Sequence, residues 1–203
     1  MQLKMLWNCK ETRYPENHHP LFHYRRFTAS DADINQWLSI CKHGLIGEDA
    51  GYETYEQLLK NWKDYSPQDT FLIEQGGVPA ATVTAIVHPA ERQGYVHMVA
   101  AKPDCRGKGV GRLLNQLACA RFWEQGCQTA VLTTDDFRIP AIKSYLTAGF
   151  LPVDCDTDMT GRWEAVLRQL GCSNVAMLSN EGIFSKILLP IPEVSEEFKG
   201  SAD

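Results

Sequence analysis

Between residues 30 and 62 the apolar residues recur at helical spacing, from residue 70 they crowd into strand-like runs, and beyond residue 109 the two patterns take turns. Ser30 and Asp31 resemble a helix cap, and Ile34, Trp37, Leu38, Ile40 and Cys41 keep the spacing of one buried stripe. A second helix is predicted over residues 55–62. The segment between them carries Gly44, Gly47, Glu48, Asp49 and Gly51, which predicts a loop. Residues 70–74 and 78–87 read as strands around the turn Gln75, Gly76, Gly77, and residues 94–102 as a third that Pro103 ends, since proline offers no N–H to a ladder. Val110, Leu113, Leu114, Leu117, Ala118 and Phe122 mark an amphipathic helix that stops at Gly126. A strand over 129–134, a helix over 140–148, a strand over 150–153 and a helix over 159–170, closed by Gly171, complete the alternation.

The two ends are patterned more weakly. Residues 1–7 and 21–27 read as strands joined by a polar arm, one apolar run over 183–189 adds a strand, and the chain from Ile191 onward reads as a loose tail. The expected layout is therefore an N-terminal arm over 1–20, a single α/β (α+β) domain with a central sheet over 21–171, and an extension over 172–203. A chain of 203 residues fits one core.

Composition narrows the function. With 44% hydrophobic and 22% charged residues the chain is of ordinary globular type. A net charge of −5 excludes a sequence-independent hold on nucleic acid, which needs many cationic contacts to phosphate, so an anionic ligand must be gripped locally. The seven cysteines form no CxxC pair, and no stretch reaches the length of a membrane span, so the expectation is a soluble cytoplasmic protein with reduced thiols and no membrane partner. His18, His19 and His23, with Cys9 nearby, match no zinc spacing, and no metal is expected.

The densest chemical signal is Arg106, Gly107, Lys108, Gly109, Val110, Gly111 and Arg112, between a strand and the long helix. Alternate glycines let a ligand approach the backbone, and the first N–H groups of a helix lack internal partners, a geometry suited to phosphate oxygens. The spacing fits neither a Walker loop nor a dinucleotide fingerprint, because Arg112 stands where the latter needs a third small residue. A connection that merely turns the chain is the bland alternative. Cys105 borders this turn, and the nearby cations predict a lowered thiol pKa.

Arg106, Gly109 and Gly111 match the R/Q-x-x-G-x-G/A signature of the GNAT superfamily of acyl-CoA-dependent N-acyltransferases, and Ala141, Tyr145, Gly149 and Phe150 match its A-x-x-x-Y-x-x-x-G-F segment. The chain thus resembles that superfamily, and the order of elements over residues 22–153 is similar too. The resemblance implies a mixed central sheet with helices on both faces. It also implies acetyl-CoA as co-substrate, with its diphosphate on the N–H groups of Arg106 through Arg112 and its pantetheine arm paired with the backbone of Val99, Ala100 and Ala101, as a peptide adds to a sheet edge.

Two catalytic candidates follow. The resemblance places Tyr145 on the thiol side, where its hydroxyl would donate to the departing sulfur; a tyrosine that only packs helix on sheet is the alternative. His97 alternates with Tyr95, Val99 and Ala101 on one strand face and lies six residues before Pro103, so it is the candidate proton acceptor, against a purely structural histidine. Arg138 departs from the family pattern, in which many members carry asparagine three residues before the alanine of the second motif; Asp135 and Asp136 stand ready to pair with it. Trp37 through Tyr55 are expected to wall the acceptor pocket, with Glu48, Asp49 and Glu53 available to a cation.

The reading is an acyl-CoA-dependent N-acetyltransferase that moves acetyl, or another short acyl group, to a primary amine by direct attack in a ternary complex. The acceptor is a small molecule or a protein N-terminus, with the oligomeric state open, a homodimer included. A catalytically impaired CoA-binding regulatory module and a generic nucleotide-phosphate binder are the alternatives.

Overall fold

The computed structural model describes residues 1–9 and 19–191. Residues 10–18 of the expected arm, His18 included, and the tail beyond Ile191 lie outside the described residues. Within them one mixed sheet runs in the order β2-β3-β4-β5-β6-β1-β7-β8-β9. Its strands are β1 (Leu3–Asn8), β2 (His23–Arg26), β3 (Thr70–Gln75), β4 (Val78–His88), β5 (Gln93–Ala101), β6 (Thr129–Thr134), β7 (Leu151–Asp154), β8 (Val175–Ser179) and β9 (Phe184–Leu188). The helices are α1 (Asp31–Cys41), α2 (Tyr52–Tyr55, running on into a π-helical turn, Glu56–Lys60), α3 (Val110–Glu124), α4 (Ile139–Thr147) and α5 (Met159–Leu170).

Helices cover both faces. Leu113, Leu114 and Leu117 of α3, Ile142 of α4 and Trp163 of α5 pack with Leu3, Met5, Phe71 and Leu132 of the sheet. On the other face Ile34, Trp37 and Ile40 of α1 join Tyr55, Phe27 and Leu72. Ser30 caps α1 by accepting the Asp33 N–H at 3.3 Å, which satisfies one orphan donor of the first turn.

The first strand has the least expected position. β1 lies inside the sheet, antiparallel to both β6 and β7, with Leu3, Met5 and Trp7 buried on one face and Leu6 on the other. Residues that the sequence assigns to an arm are thus part of the central sheet. The extension past residue 171 carries two strands, β8 as well as the expected β9.

Two local features shape the site. A Cβ at Gly94 would stand 2.4 Å from the Phe122 ring, so only glycine lets α3 settle this closely on β5. Between Thr82–Ala100 and Thr84–His97 two β5 residues, Met98 and Val99, oppose the single β4 residue Val83, and Met98 takes φ +50°. Such a bulge bends and twists its strand. The parallel β5–β6 ladder ends at Tyr95–Val131, leaving the remainder of β5 without a strand neighbour on that side among the described residues.

Candidate active site

Where β5 leaves β6, a cleft of about 430 Å³ opens. Val99, Ala100 and Ala101 form one wall; Arg106 and Gly107 of the glycine turn and Val110, Gly111, Leu114 and Asn115 of α3 line its base; Arg138, Pro140, Ala141, Ser144 and Tyr145 line the α4 side. His43, Gly44 and Leu45, from the loop after α1, complete the rim. Of the residues expected to bind cofactor, seven are gathered here, whereas Lys108, Gly109 and Arg112 stand around the turn without lining the cleft.

The turn fits a diphosphate. Gly109 takes φ +87° at the N-cap of α3, and no side chain among the described residues caps this end. The first helical bond runs from the Leu113 N–H to the Gly109 carbonyl at 3.2 Å, so the amides of Val110, Gly111 and Arg112 precede the ladder and have no intrahelical acceptor. The first turn carries no acidic residue, and Arg106, Lys108 and Arg112 are exposed around it. Unspent donors, a positive helix end and exposed cations together favour an anion.

The β5 edge fits an extended amide chain. The Lys102 N–H donates to the Ala80 carbonyl at 2.9 Å across β4–β5. Because successive residues of a strand turn their polar groups to opposite sides, Ala101 presents its N–H and C=O to the open side. Arg106 Nε donates to that Ala101 carbonyl at 3.2 Å.

Tyr145 is buried at 7% exposure yet lines the cleft, and its hydroxyl makes no hydrogen bond among the described residues. Its ring meets Phe150 edge-on at 6.3 Å, and Phe150 packs on Trp7 at 6.2 Å, so β1 supports the second motif. Burial pushes the phenol up to about 12, against the opposing charge of Arg138, and it stays a proton donor at neutral pH.

His97 is not brought to the cleft. Its Nε2 lies 2.8 Å from the Leu58 carbonyl, which can only accept, so Nε2 carries the proton and Nδ1 is the remaining acceptor. The ring packs against Trp62 at 4.3 Å and Tyr95 at 5.6 Å. Burial lowers its pKa, outweighing the Leu58 hydrogen bond, which acts in the opposite direction.

Three other expectations need correction. Cys105 is buried, and its thiol is raised by desolvation first and by Asp104 second; Lys108 and Lys102 only partly oppose this, so it is not an activated thiol. Trp37 is wholly buried in the second core cluster and cannot wall a pocket, because its apolar surface is spent holding α1 to the sheet. Glu48, Asp49 and Glu53 are exposed and away from the cleft, and the loop instead contributes His43, Gly44 and Leu45.

Arg138 pairs with Asp135, Nε to Oδ2 at 3.0 Å, and donates through Nη2 to the Gly44 carbonyl at 3.3 Å. Asp136 is taken by Arg162. Among the described residues only Asp64, His88 and Glu91 stand close enough to share a metal ion, and Lys63 Nζ already lies 2.9 Å from Glu91.

Sequence reasoning missed Asn115 and Ser144, whereas His43, Gly44 and Leu45 fall within the segment from Trp37 to Tyr55 that was expected to wall the acceptor pocket. The available signal for Asn115 was a lone amide on an otherwise apolar helical stripe, flanked by Leu114 and Leu117. The glycines after α1 marked that loop, but not which of its residues reach the cleft.

The acetyltransferase (GNAT) family model matches residues 31–150. A mycothiol acetyltransferase of Streptomyces bingchenggensis is 33% identical over 92 residues, 45% of this chain and 30% of that protein. One from Streptomyces coelicolor is 32% identical over 100 residues, 49% of this chain and 32% of that protein. The match thus spans about a third of the length of these relatives. Among solved structures, a GCN5-related N-acetyltransferase from Sphaerobacter thermophilus shares the fold at TM-score 0.61 and 16% identity, over 74% of this chain and 47% of that one. The ribosomal-protein-S18-alanine N-acetyltransferase of Escherichia coli does so at TM-score 0.52 and 19% identity, over 64% of this chain and 77% of that one. With the glycine turn, the splayed strand and the tyrosine on one cleft, and more than half of the chain matched, this chain belongs to the GNAT family of acetyltransferases.

Proposed function

We propose that the chain is an N-acetyltransferase that takes acetyl from acetyl-CoA and passes it to a primary amine by direct attack in a ternary complex. The observation that carries this reading is the convergence of the uncapped α3 mouth, the open edge of β5 and the Tyr145 hydroxyl on one cleft. The helix mouth and Arg106 hold the diphosphate, and Ala101 pairs with the arm.

The amine nitrogen bonds to the thioester carbonyl carbon and the carbon–sulfur bond breaks. An alkyl ammonium with pKa near 10.4 must first lose a proton, at a cost of about 4 to 5 kcal/mol at pH 7. His97, neutral and with Nδ1 free, accepts it through water. Tyr145 donates a hydrogen bond to the leaving thiolate, a charge-assisted contact that contributes roughly 1.5 to 3 kcal/mol. As the amide forms the attacking nitrogen sheds a second proton, the thiolate takes up one, and the products are an N-acetyl amine and a free thiol.

The acceptor class proposed here is a small-molecule amine or a protein N-terminus; among the similar proteins one is named a mycothiol acetyltransferase and another a ribosomal-protein-S18-alanine N-acetyltransferase. One observation favours the second reading, a CoA-binding module without turnover: His97 Nε2 is committed to the Leu58 carbonyl and the ring stands off the cleft. Calorimetry with acetyl-CoA beside a thiol-release assay over an amine panel separates the two. Binding with turnover on at least one amine supports the enzyme, and binding without turnover supports the module. ATP competing as well as CoA would overturn both.

A further inference from the structure

An extended arm laid along β5 has two polar edges, and the β5 backbone serves one of them. The opposite wall of the same cleft is built by α3 and α4, where the side chains of Val110, Leu114, Pro140 and Ala141 offer no hydrogen bond. Two polar side chains interrupt that wall beside Tyr145. Asn115, 2% exposed, comes from α3, and Ser144 comes from α4; Asn115 Nδ2 donates to Ser144 Oγ at 2.9 Å.

The hydrogen-bond inventory of this pair does not close. An amide has two N–H donors and a carbonyl, and a hydroxyl has one donor and two acceptor sites. Their mutual bond uses one donor. One amide N–H, the amide carbonyl and the serine O–H are then left without a protein partner among the described residues. Turning the amide over lets the serine donate instead, but both amide N–H groups are then unspent. In either arrangement a donor faces the cleft from an apolar wall, where an unpaired polar group is costly.

We propose that Asn115 and Ser144 form a binding pair that donates to an amide carbonyl of the pantetheine arm, on the edge turned away from β5. The proposal rests on the acyl-CoA reading and adds to it a second, side-chain readout of the arm. Recognition then depends on the arm itself: a ligand that carries the same nucleotide and diphosphate but no arm gains nothing from the pair.

The test compares coenzyme A with adenosine 3′-phosphate 5′-diphosphate, which is the same molecule without the arm, by calorimetry on the full chain. Ser144→Ala and Asn115→Leu should each weaken coenzyme A by about fivefold to tenfold, the range of one lost hydrogen bond, and leave the armless nucleotide unchanged. The double variant should lose less than the product of the two single losses, because the pair acts as a unit. Ser144→Ala removes one oxygen from a half-buried site, so it reports even where Asn115→Leu disturbs folding. Coenzyme A affinity within twofold of wild type in Ser144→Ala, or equal losses for both ligands, overturns the pair. A wild-type chain that binds neither ligand overturns the acyl-CoA reading beneath it.

Discussion

The guanidinium of Arg106 donates to the carbonyl oxygen of His43 at 3.1 Å, tying the glycine turn to the loop after α1. Arg138 reaches the next carbonyl, that of Gly44, from the other side of the cleft. Two cations from opposite walls thus brace one loop across the rim. The Arg106 bonds to His43 and Ala101 use the groups that a diphosphate and an arm amide would compete for, so cofactor capture and loop position are linked through one side chain.

That linkage separates the two arginines experimentally. Arg138→Ala should speed amide exchange in residues 43–45 and raise the acceptor KM severalfold, with the affinity for coenzyme A within twofold of wild type. Arg106→Ala should do both and also weaken coenzyme A by about tenfold or more, since a charge-assisted contact to phosphate is lost. Equal coenzyme A losses in the two variants would contradict this division.

Tyr145 is argued to act on the leaving sulfur. Tyr145→Phe should lower kcat by about one to two powers of ten with the dissociation constant for acetyl-CoA unchanged. Because its pKa is pushed up to about 12, the phenol should add no alkaline loss of activity below about pH 10. Single-turnover rates across pH 7 to 10 check both statements.

Gly109 is held in the left-handed region at φ +87°, and an added Cβ would lie 2.9 Å from His19 Nε2. The imidazole can swing aside, so the backbone cost governs, about 1 to 2 kcal/mol, or a Tm drop of roughly 2 to 8 °C for a chain of this size. Gly109→Val should fold and lose coenzyme A binding, because relaxing the N-cap re-aims the first amides of α3. Gly107→Ala, at φ +75° with open space around it, is the control for backbone strain alone.

The depressed pKa of His97 carries a sign that can be measured. Below the ordinary value of 6.5 the unfolded chain binds a proton that the folded chain resists, so stability is full above that pH and falls as the pH drops through it toward the lower folded pKa. His97→Gln keeps a donor for the Leu58 carbonyl without the titration. Urea unfolding at pH 7.5 and 5.5 should therefore show a larger loss in wild type than in the variant. An equal loss in both would mean that His97 does not govern this window.

Local pattern reached far into this fold. The caps at Ser30 and Gly171, the strand that Pro103 ends and the stripe Val110, Leu113, Leu114, Leu117 all depend on neighbours within one or two turns, and the structure has them where the pattern predicts. The glycine turn and the Ala141–Phe150 segment were legible for the same reason, since backbone conformation and helix ends are short-range properties. The site was legible only in its two motifs.

What the chain's own order of residues determined was therefore the periodicity, the caps, and the turn whose free amides suit an anion. Tertiary structure alone decided that β1 enters the middle of the sheet, that β5 parts from β6 after Tyr95 and bulges at Met98 and Val99, and that His97 is turned to the Leu58 carbonyl. It also set Asn115 against Ser144 across two helices. These are pairings between residues 29 to well over 100 positions apart, and no local period encodes them. They are selected when the whole core packs, because only then does each buried polar group and apolar face find the partner that lowers its free energy.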